Sequence, residues 1–377
     1  MALAVVTPPQ ITLAPLTVSA SGVPAISTVP PWTVVWVVPA RSAGAICRKT
    51  RGMSRPRILL TRPDVPGSAL LDRAAERLGA EVHRLPVVPG GVEPDPAVLR
   101  AALVDVDAVL AQPGDPMDAE ALGGAGRLRV VSVAGVGVDR VDLAVARRCG
   151  VRVTNTPGVL AETVADTAMA LVLMARRRLV QAGEAMREGR WTGFDPGAFL
   201  GHDVAGASMG LLGYGEIGRA VARRARGFGM TVRHLARASA PADGVSSPLG
   251  REELLRTSDV LVLALPLTPE TRGTIDAAAL ALVPAWATLV NVGRGGLVVE
   301  ADLLAALREG RLHSAGLDVF DSEPRADPDD ELLRTPGLVV LPHVGSASLA
   351  TRTAMTRAAV ANLEAVLRGD EPPTPVL

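Results

Sequence analysis

Met209-Gly-Leu-Leu-Gly213-Tyr214-Gly215-Glu216-Ile217-Gly218 is the stretch on which the fold turns. A short apolar run enters a Gly-x-Gly-x-x-Gly pattern, and an Ala/Val/Arg-rich segment, Arg219 through Gly229, follows without a break. Strand, glycine turn and helix in that order are the context a dinucleotide fingerprint requires. Gly213 permits the tight turn, Gly215 lets the backbone come close to a pyrophosphate, and Gly218 lets the helix lie against the strand. Amides at the start of the helix then face phosphate with the positive end of the helix dipole. The competing reading is a purely structural glycine turn.

Outward from this point the same rhythm repeats. Downstream, strands are expected at Thr231–Leu235, Val260–Ala264, Thr288–Asn291, Ser314–Asp318 and Leu338–Leu341, with helices Glu252–Thr257, Ala277–Leu282 and Glu300–Glu309 between them. Upstream, strands Ile58–Thr61, Val82–Leu85, Ala108–Ala111, Val130–Ala134 and Val151–Asn155 alternate with helices Gly67–Leu78, Asp95–Leu103, Met117–Leu122 and Leu143–Arg148. Alternation of this kind gives parallel sheets with right-handed crossovers. Ala161–Gly189 reads as one long amphipathic helix joining the two units, its apolar face either a dimer contact or an internal core surface. Leu349–Arg368 is a last helix, and no appended regulatory domain is expected after it.

The chain has 377 residues, enough for two domains with sizeable cores, and 39 basic against 39 acidic residues. With no net charge and no basic stripe, nothing favours nucleic acid or an anionic membrane as partner. No apolar run approaches the roughly 18–20 residues of a membrane span. Arg176-Arg177-Arg178 reads as the cationic end of a helix rather than a binding patch. Cys47 and Cys149 form no metal or redox motif, so no metal is expected and a reducing cytoplasm is the default location. Residues 1–52 differ from the rest. They are rich in Pro, Thr, Val and Ser and carry Trp32 and Trp36, half of the four tryptophans. Thr33–Val38 is too short for a signal sequence, and the segment reads as a disordered extension, with Met53 as a possible initiator.

Four positions carry chemistry. The corner that reads the adenosine ribose comes about 20 residues after the fingerprint. It is Leu235-Ala236-Arg237, with no carboxylate to take a 2′-hydroxyl. Arg237, with Arg233 nearby, suits a 2′-phosphate and favours NADP over NAD. The alternative is a solvated surface arginine. Arg294 lies in Asn291-Val292-Gly293-Arg294-Gly-Gly296, whose glycines let a ligand approach the backbone. Glu323 lies in Asp318-Val-Phe-Asp-Ser-Glu323-Pro324 and His343 in Leu341-Pro-His343-Val-Gly345. A guanidinium, a carboxylate and an imidazole where the chain leaves three strands suit hydride transfer to a 2-keto acid. Arginine would hold the carboxylate and polarise the carbonyl, histidine would give the proton, and glutamate would hold the imidazole.

Together with Val131-Ser-Val-Ala-Gly135-Val136-Gly137-Val-Asp139, Thr154-Asn-Thr-Pro-Gly158, Thr163-Val-Ala-Asp166 and Ser258-Asp-Val-Leu-Val-Leu-Ala-Leu-Pro266-Leu-Thr268, these motifs resemble the D-isomer-specific 2-hydroxyacid dehydrogenase family from about Pro56 to the C-terminus. The resemblance implies an α/β fold of two doubly wound parallel-sheet domains. A Rossmann cofactor domain, residues 156–343, would be inserted into a flavodoxin-like substrate domain, residues 55–155 and 344–377. It implies Arg294, Glu323 and His343 as catalytic residues and the amides of Val136 and Gly137 as substrate contacts. Asp318 would accept from the nicotinamide carboxamide. The cofactor, NADP(H) preferred and NAD(H) possible, would meet Gly213, Tyr214, Gly215, Glu216, Ile217, Gly218, Ala236, Arg237, Val292, Gly293, Asp318 and Gly345. A homodimer reducing a small 2-keto acid of the glyoxylate or hydroxypyruvate type is expected. An NAD-dependent D-lactate or D-3-phosphoglycerate dehydrogenase, and a non-catalytic corepressor-like dinucleotide sensor, are the alternatives. Departures from the family pattern are few: Val299 replaces an Asp, Asp166 replaces a Glu, and the acidic ribose reader is missing.

Overall fold

The structure is a computed structural model that describes residues 55–87, 94–236 and 244–377. The extension 1–52, Met53 and Arg237 lie outside the described residues. Two sheets, each entirely parallel, organise the chain. The first has the order β2-β1-β3-β4-β5, from β1 (Arg57–Leu60), β2 (Glu81–Arg84), β3 (Ala108–Ala111), β4 (Val130–Val133) and β5 (Arg152–Thr154). The second has the order β12-β11-β10-β9-β6-β7-β8. Its strands are β6 (Ser208–Leu212), β7 (Thr231–Leu235), β8 (Ser247–Leu249), β9 (Val260–Leu263), β10 (Thr288–Asn291), β11 (Ser314–Leu317) and β12 (Leu338–Val340). Counted from its own first strand, the first sheet follows the flavodoxin-like order and the second the dinucleotide-binding order with one strand added.

Both sheets are covered on both faces, which is why their central strands read as apolar runs, while the edge strands β2 and β8 are largely exposed. In β9, Val260 and Val262 point into one core and Leu261 and Leu263 into another. The first of these cores holds α5 (Ala161–Arg176) and α7 (Glu216–Gly227). The second holds α8 (Arg251–Thr257), α9 (Ala277–Leu282) and α10 (Glu300–Arg308). Around the five-stranded sheet, α2 (Pro96–Leu103), α3 (Ala119–Gly124) and α4 (Leu143–Cys149) lie on one face and α1 (Ala69–Leu78) and α11 (Leu349–Arg368) on the other. Five of these helices, α2, α3, α4, α9 and α11, start where an acidic or hydroxyl side chain satisfies the first free amides. Asp142 accepts from the Val145 amide at 2.9 Å, Asp276 from Ala279 at 2.8 Å and Ser348 from Thr351 at 3.1 Å, each contributing about 1 kcal/mol. By way of α11 the chain returns from the second sheet to the first, and Val376 donates to the Val153 carbonyl at 2.8 Å. The first sheet's strands all come from Arg57–Thr154, and the C-terminal helix α11 and tail pack back onto it, with the second sheet lying between them in sequence.

Three local expectations need correction. The helix expected over Ala161–Gly189 is two, α5 and α6 (Leu179–Arg187), because Arg178 takes a left-handed conformation (φ 53°) and turns the chain. Of the two readings of its apolar face, α5 satisfies the core one: it buries Val164, Ala168, Leu171 and Val172 against the second sheet. Arg176 does end a helix, but its side chain is buried and donates to the carbonyls of Asp203, Asp259 and Trp286. Its task is to gather loose carbonyl ends, and burial pulls its pKa down while Asp259 and Asp203 oppose that. The third correction is the edge strand β8, absent from the sequence reading. Among the described residues no helix is long and apolar enough to cross a membrane.

Candidate active site

The C-terminal ends of β10, β11 and β12, neighbours in the second sheet, deliver the three chemical groups within a few residues of each strand. His343 Nδ1 and Glu323 Oε2 are 2.8 Å apart. The other Glu323 oxygen accepts the Phe320 amide at 2.8 Å, which fixes the carboxylate plane. Burial pushes the Glu323 carboxyl up. The hydrogen bond and charge of His343, the Phe320 amide and Arg294 outweigh it and hold the carboxyl below the usual range. An ionised glutamate on Nδ1 leaves Nε2 as the nitrogen that can face a substrate.

His343 itself has a left-handed backbone (φ 52°), a conformation most side chains avoid. Asp318, 2 % exposed, holds it there. The Asp318 carbonyl accepts the His343 amide at 2.9 Å, and its two carboxylate oxygens accept the Val344 and Gly345 amides at 2.8 Å each. Burial raises the Asp318 carboxyl above its ordinary range despite these two donors and His343, with the Glu323 charge adding to the rise. Asp318 thus clamps the histidine loop, a job the sequence did not reveal.

Arg294 Nε donates to Asp139 Oδ1 at 2.9 Å and Nη1 to the Gly293 carbonyl at 2.9 Å. Buried Asn291 shapes this loop. Its Nδ2 donates to the Arg294 carbonyl at 2.8 Å, and its Oδ1 accepts the Gly293 amide at 3.0 Å. The glycines after Arg294 serve a purpose other than ligand approach. A Cβ on Gly295 would stand 1.7 Å from the Phe320 carbonyl carbon, so the arginine loop presses directly on the loop that carries Glu323. From the first sheet, Gly137 lies so close that a Cβ there would sit 1.5 Å from Arg294 Nη2, and the Val136 carbonyl accepts from Asn155 Nδ2 at 2.8 Å. A cleft of about 1480 Å³ is lined by Arg294, Glu323 and His343 together with Asp139, Gln112 and Arg352.

The glycine turn lies between β6 and α7, on the strand where the order of the second sheet reverses. A Cβ on Gly213 would meet the Ala264 carbonyl oxygen at 2.4 Å, and one on Gly218 the Gly213 oxygen at 2.1 Å. One on Gly215 would meet nothing within 4 Å, so the middle glycine faces open space at the start of a 12-residue helix. That cradle fits a pyrophosphate. Tyr214 stacks on His234 with ring centroids 4.0 Å apart, and Ile217 packs against the core. Glu216 Oε2 accepts the Gly158 amide at 3.0 Å. Ala236 closes β7, its amide bonded to Leu249, and Val292 is buried just past β10.

Two parallel sheets, a glycine cradle at the reversal point and an Arg/Glu/His set beside it define an oxidoreductase that uses a nicotinamide dinucleotide. Comparison with known proteins agrees. Residues 169–345 match the model of the D-isomer specific 2-hydroxyacid dehydrogenase NAD binding domain. A glyoxylate reductase of Thermococcus kodakarensis is 40% identical over 329 residues, covering 85% of this chain and 96% of its own. A Thermus thermophilus crystal structure superposes with TM-score 0.77 at 44% identity, covering 85% of this chain and all of that one. An NADPH-dependent glyoxylate/hydroxypyruvate reductase from Sinorhizobium meliloti, solved with NADP and malonate, gives TM-score 0.72 at 36% identity, covering 86% of this chain and 97% of its own. The chain belongs to the D-isomer-specific 2-hydroxyacid dehydrogenase family.

Proposed function

We propose that this protein reduces a small 2-keto acid of the glyoxylate or hydroxypyruvate type to the D-2-hydroxy acid, with NADPH preferred. The observation that carries the reading is the 2.8 Å His343–Glu323 bond on one wall of a cleft that Arg294 also lines. Residues 156–343 bind the dinucleotide, and residues 55–155 with 344–377 complete the substrate site. The nicotinamide supplies the hydride. Arg294 and the amides of Val136 and Gly137 hold the substrate carboxylate, and Arg294 draws charge toward the carbonyl oxygen as it develops. His343 gives that oxygen its proton, and Glu323, kept ionised, favours the protonated imidazole. Glyoxylate as substrate is supported by the reductases that resemble 85–86% of this chain over nearly their whole length. The NADP preference is supported by the Leu235-Ala236-Arg237 corner and by the NADP bound in the Sinorhizobium relative. Exposed Leu179, Met186, Trp191, Leu200 and Phe194, the last 90 % exposed, favour a homodimer that covers this patch.

A panel of 2-keto acids assayed with NADPH and with NADH tests the reading. Arg294→Ala should lower kcat/KM for glyoxylate by about 10²–10³, the size of losing one preorganised charge-stabilising donor. Glyoxylate reduction by Arg294→Ala at the wild-type rate is the result that removes the assignment. Equal losses of NADPH and NADH affinity in Arg237→Ala would remove the NADP preference.

A further inference from the structure

Asp139 and Arg294 are 155 positions apart in sequence and belong to different sheets, one on the loop after β4 and the other on the loop after β10. They nevertheless meet at 2.9 Å inside the cleft, Asp139 Oδ1 accepting from Arg294 Nε. A guanidinium has five N–H groups on three nitrogens in one rigid plane. Here Nε is taken by Asp139 and Nη1 by the Gly293 carbonyl, so two fixed points set the plane. The nitrogen left over is Nη2, and it is the one pressed against Gly137, where a Cβ would stand 1.5 Å away. The same Cβ would be 2.7 Å from Asp139 Oδ1. Gly137 is glycine so that this pair fits.

Two other arginines on the cleft wall have their partners on the second sheet's own side. Arg272 pairs with Asp321, and Arg325 with Glu300 and Asp330. Arg294 is held differently. Its partner comes from the opposite sheet and takes only the Nε position.

We propose that Asp139 is a positioning residue for Arg294: by holding Nε it aims Nη2 past Gly137 at the carboxylate and carbonyl of the substrate. This rests on the reading of Arg294 as the substrate's cationic holder. Asp139 does not touch the reacting atoms. Its own negative charge opposes an incoming carboxylate, so its contribution is the direction it gives the donor. The acceptor matters here and the charge does not, and an asparagine whose oxygen takes Nε should serve nearly as well.

The test uses the full chain with Asp139→Ala, Asp139→Asn and Arg294→Ala. Three quantities are read: the Kd for NADPH by fluorescence, the Kd for oxamate with NADPH present by calorimetry, and the KM for glyoxylate. Asp139→Ala should raise the oxamate Kd and the glyoxylate KM about ten-fold, as expected for losing a charge-assisted hydrogen bond that orients a donor. NADPH affinity should stay within about two-fold, and Asp139→Asn should return both substrate quantities to within about three-fold of wild type. An oxamate Kd unmoved in Asp139→Ala overturns the proposal. So does an asparagine variant as poor as the alanine one, or a loss of NADPH affinity in step with oxamate, which marks a merely structural role. Arg294→Ala separates the two levels. If it leaves oxamate binding intact, the reading of Arg294 itself fails. If it abolishes binding while Asp139→Ala does not, only the role of Asp139 fails.

Discussion

Asp318→Asn tests the clamp on the histidine loop. Both carboxylate oxygens accept buried backbone amides at 2.8 Å, from Val344 and Gly345. A carboxamide has one acceptor and one donor at those two places, so one amide keeps its partner and the other faces an N–H. A buried donor left without an acceptor costs about 1–3 kcal/mol. Part of that is offset, because the neutral amide escapes the burial penalty that pushes the Asp318 carboxyl above its ordinary range. A net loss of about 1–2 kcal/mol follows, which lowers the melting temperature by roughly 2–6 °C in a protein of this size. The local effect is larger than the global one. His343 sits at φ 52°, a conformation that costs on the order of 1 kcal/mol, and the Asp318 contacts oppose its relaxation. With one contact gone the imidazole drifts from Glu323, and kcat should fall at least about ten-fold, with the full 10²–10⁴ of a positioned general acid as the ceiling. Thermal melting and the rate of glyoxylate-dependent NADPH oxidation are the measurements. A variant that melts with wild type and keeps its kcat refutes the clamp. Normal melting with weakened NADPH binding would instead favour a contact between Asp318 and the nicotinamide carboxamide.

Two further expectations follow from the same geometry. Gly215→Ala should leave melting unchanged, since its Cβ meets nothing, while weakening NADPH about ten-fold or more. Gly218→Ala, driven 2.1 Å from the Gly213 oxygen, should lower stability first, by about 1–3 kcal/mol; the reverse ranking in paired melting and NADPH titrations would refute the cradle. For Glu323 the folded pKa lies below its unfolded value near ~4.3, so its charged form adds stability that is complete above that value and is lost as pH falls through the folded one. The melting-temperature gap between wild type and Glu323→Gln should therefore be widest above the ordinary carboxylate range and close below it, and a gap independent of pH would contradict the sign.

The rhythm of strands and helices was legible because the central strands β3, β4, β9, β10 and β11 are buried on both faces and helices such as α1 and α7 carry a clear apolar stripe, so local periodicity reports the fold directly. The same is true of Gly213, Gly215 and Gly218, whose spacing encodes a turn. What escaped was decided by geometry at a distance or by single residues. Ser247-Pro-Leu249 is a three-residue edge strand containing proline, tolerable there only because an edge leaves one side of the backbone unpaired. Nothing in the helical pattern of residues 161–189 announces that Arg178 adopts a left-handed conformation. Arg176 shows why a run of like residues misleads: its three carbonyl partners come from three separate loops, and one member of a charged triplet is pulled into the interior. Asp139 stood within a recognised motif, yet its partner is on another sheet and no local period links them. Gly295 was read as room for a ligand, and the protein's own Phe320 backbone fills that room.

The distribution of the site over the two sheets has a mechanical consequence. Arg294, Glu323 and His343 all leave adjacent strands of the second sheet, and short contacts run between them without a gap. Gly295 rests on Phe320, the Phe320 amide holds Glu323, Glu323 holds His343, and Asp318 holds the loop beyond. A packed parallel sheet does not deform continuously, so these groups keep their mutual geometry as one body. The first sheet's side contributes Gln112, Asp139 and Arg352 to the cleft wall, and Gly137 lies against Arg294; the Asp139–Arg294 ion pair joins the two contributions within the cleft. Any hinge between the sheets would leave the acid and its partner assembled while releasing the arginine from its guide. On the proposed roles, proton donation would then be available in every arrangement of the halves, and substrate capture would depend on their approach. A substitution at the sheet contact should consequently appear first in the affinity for the keto acid, and one at Asp318 or Glu323 first in turnover.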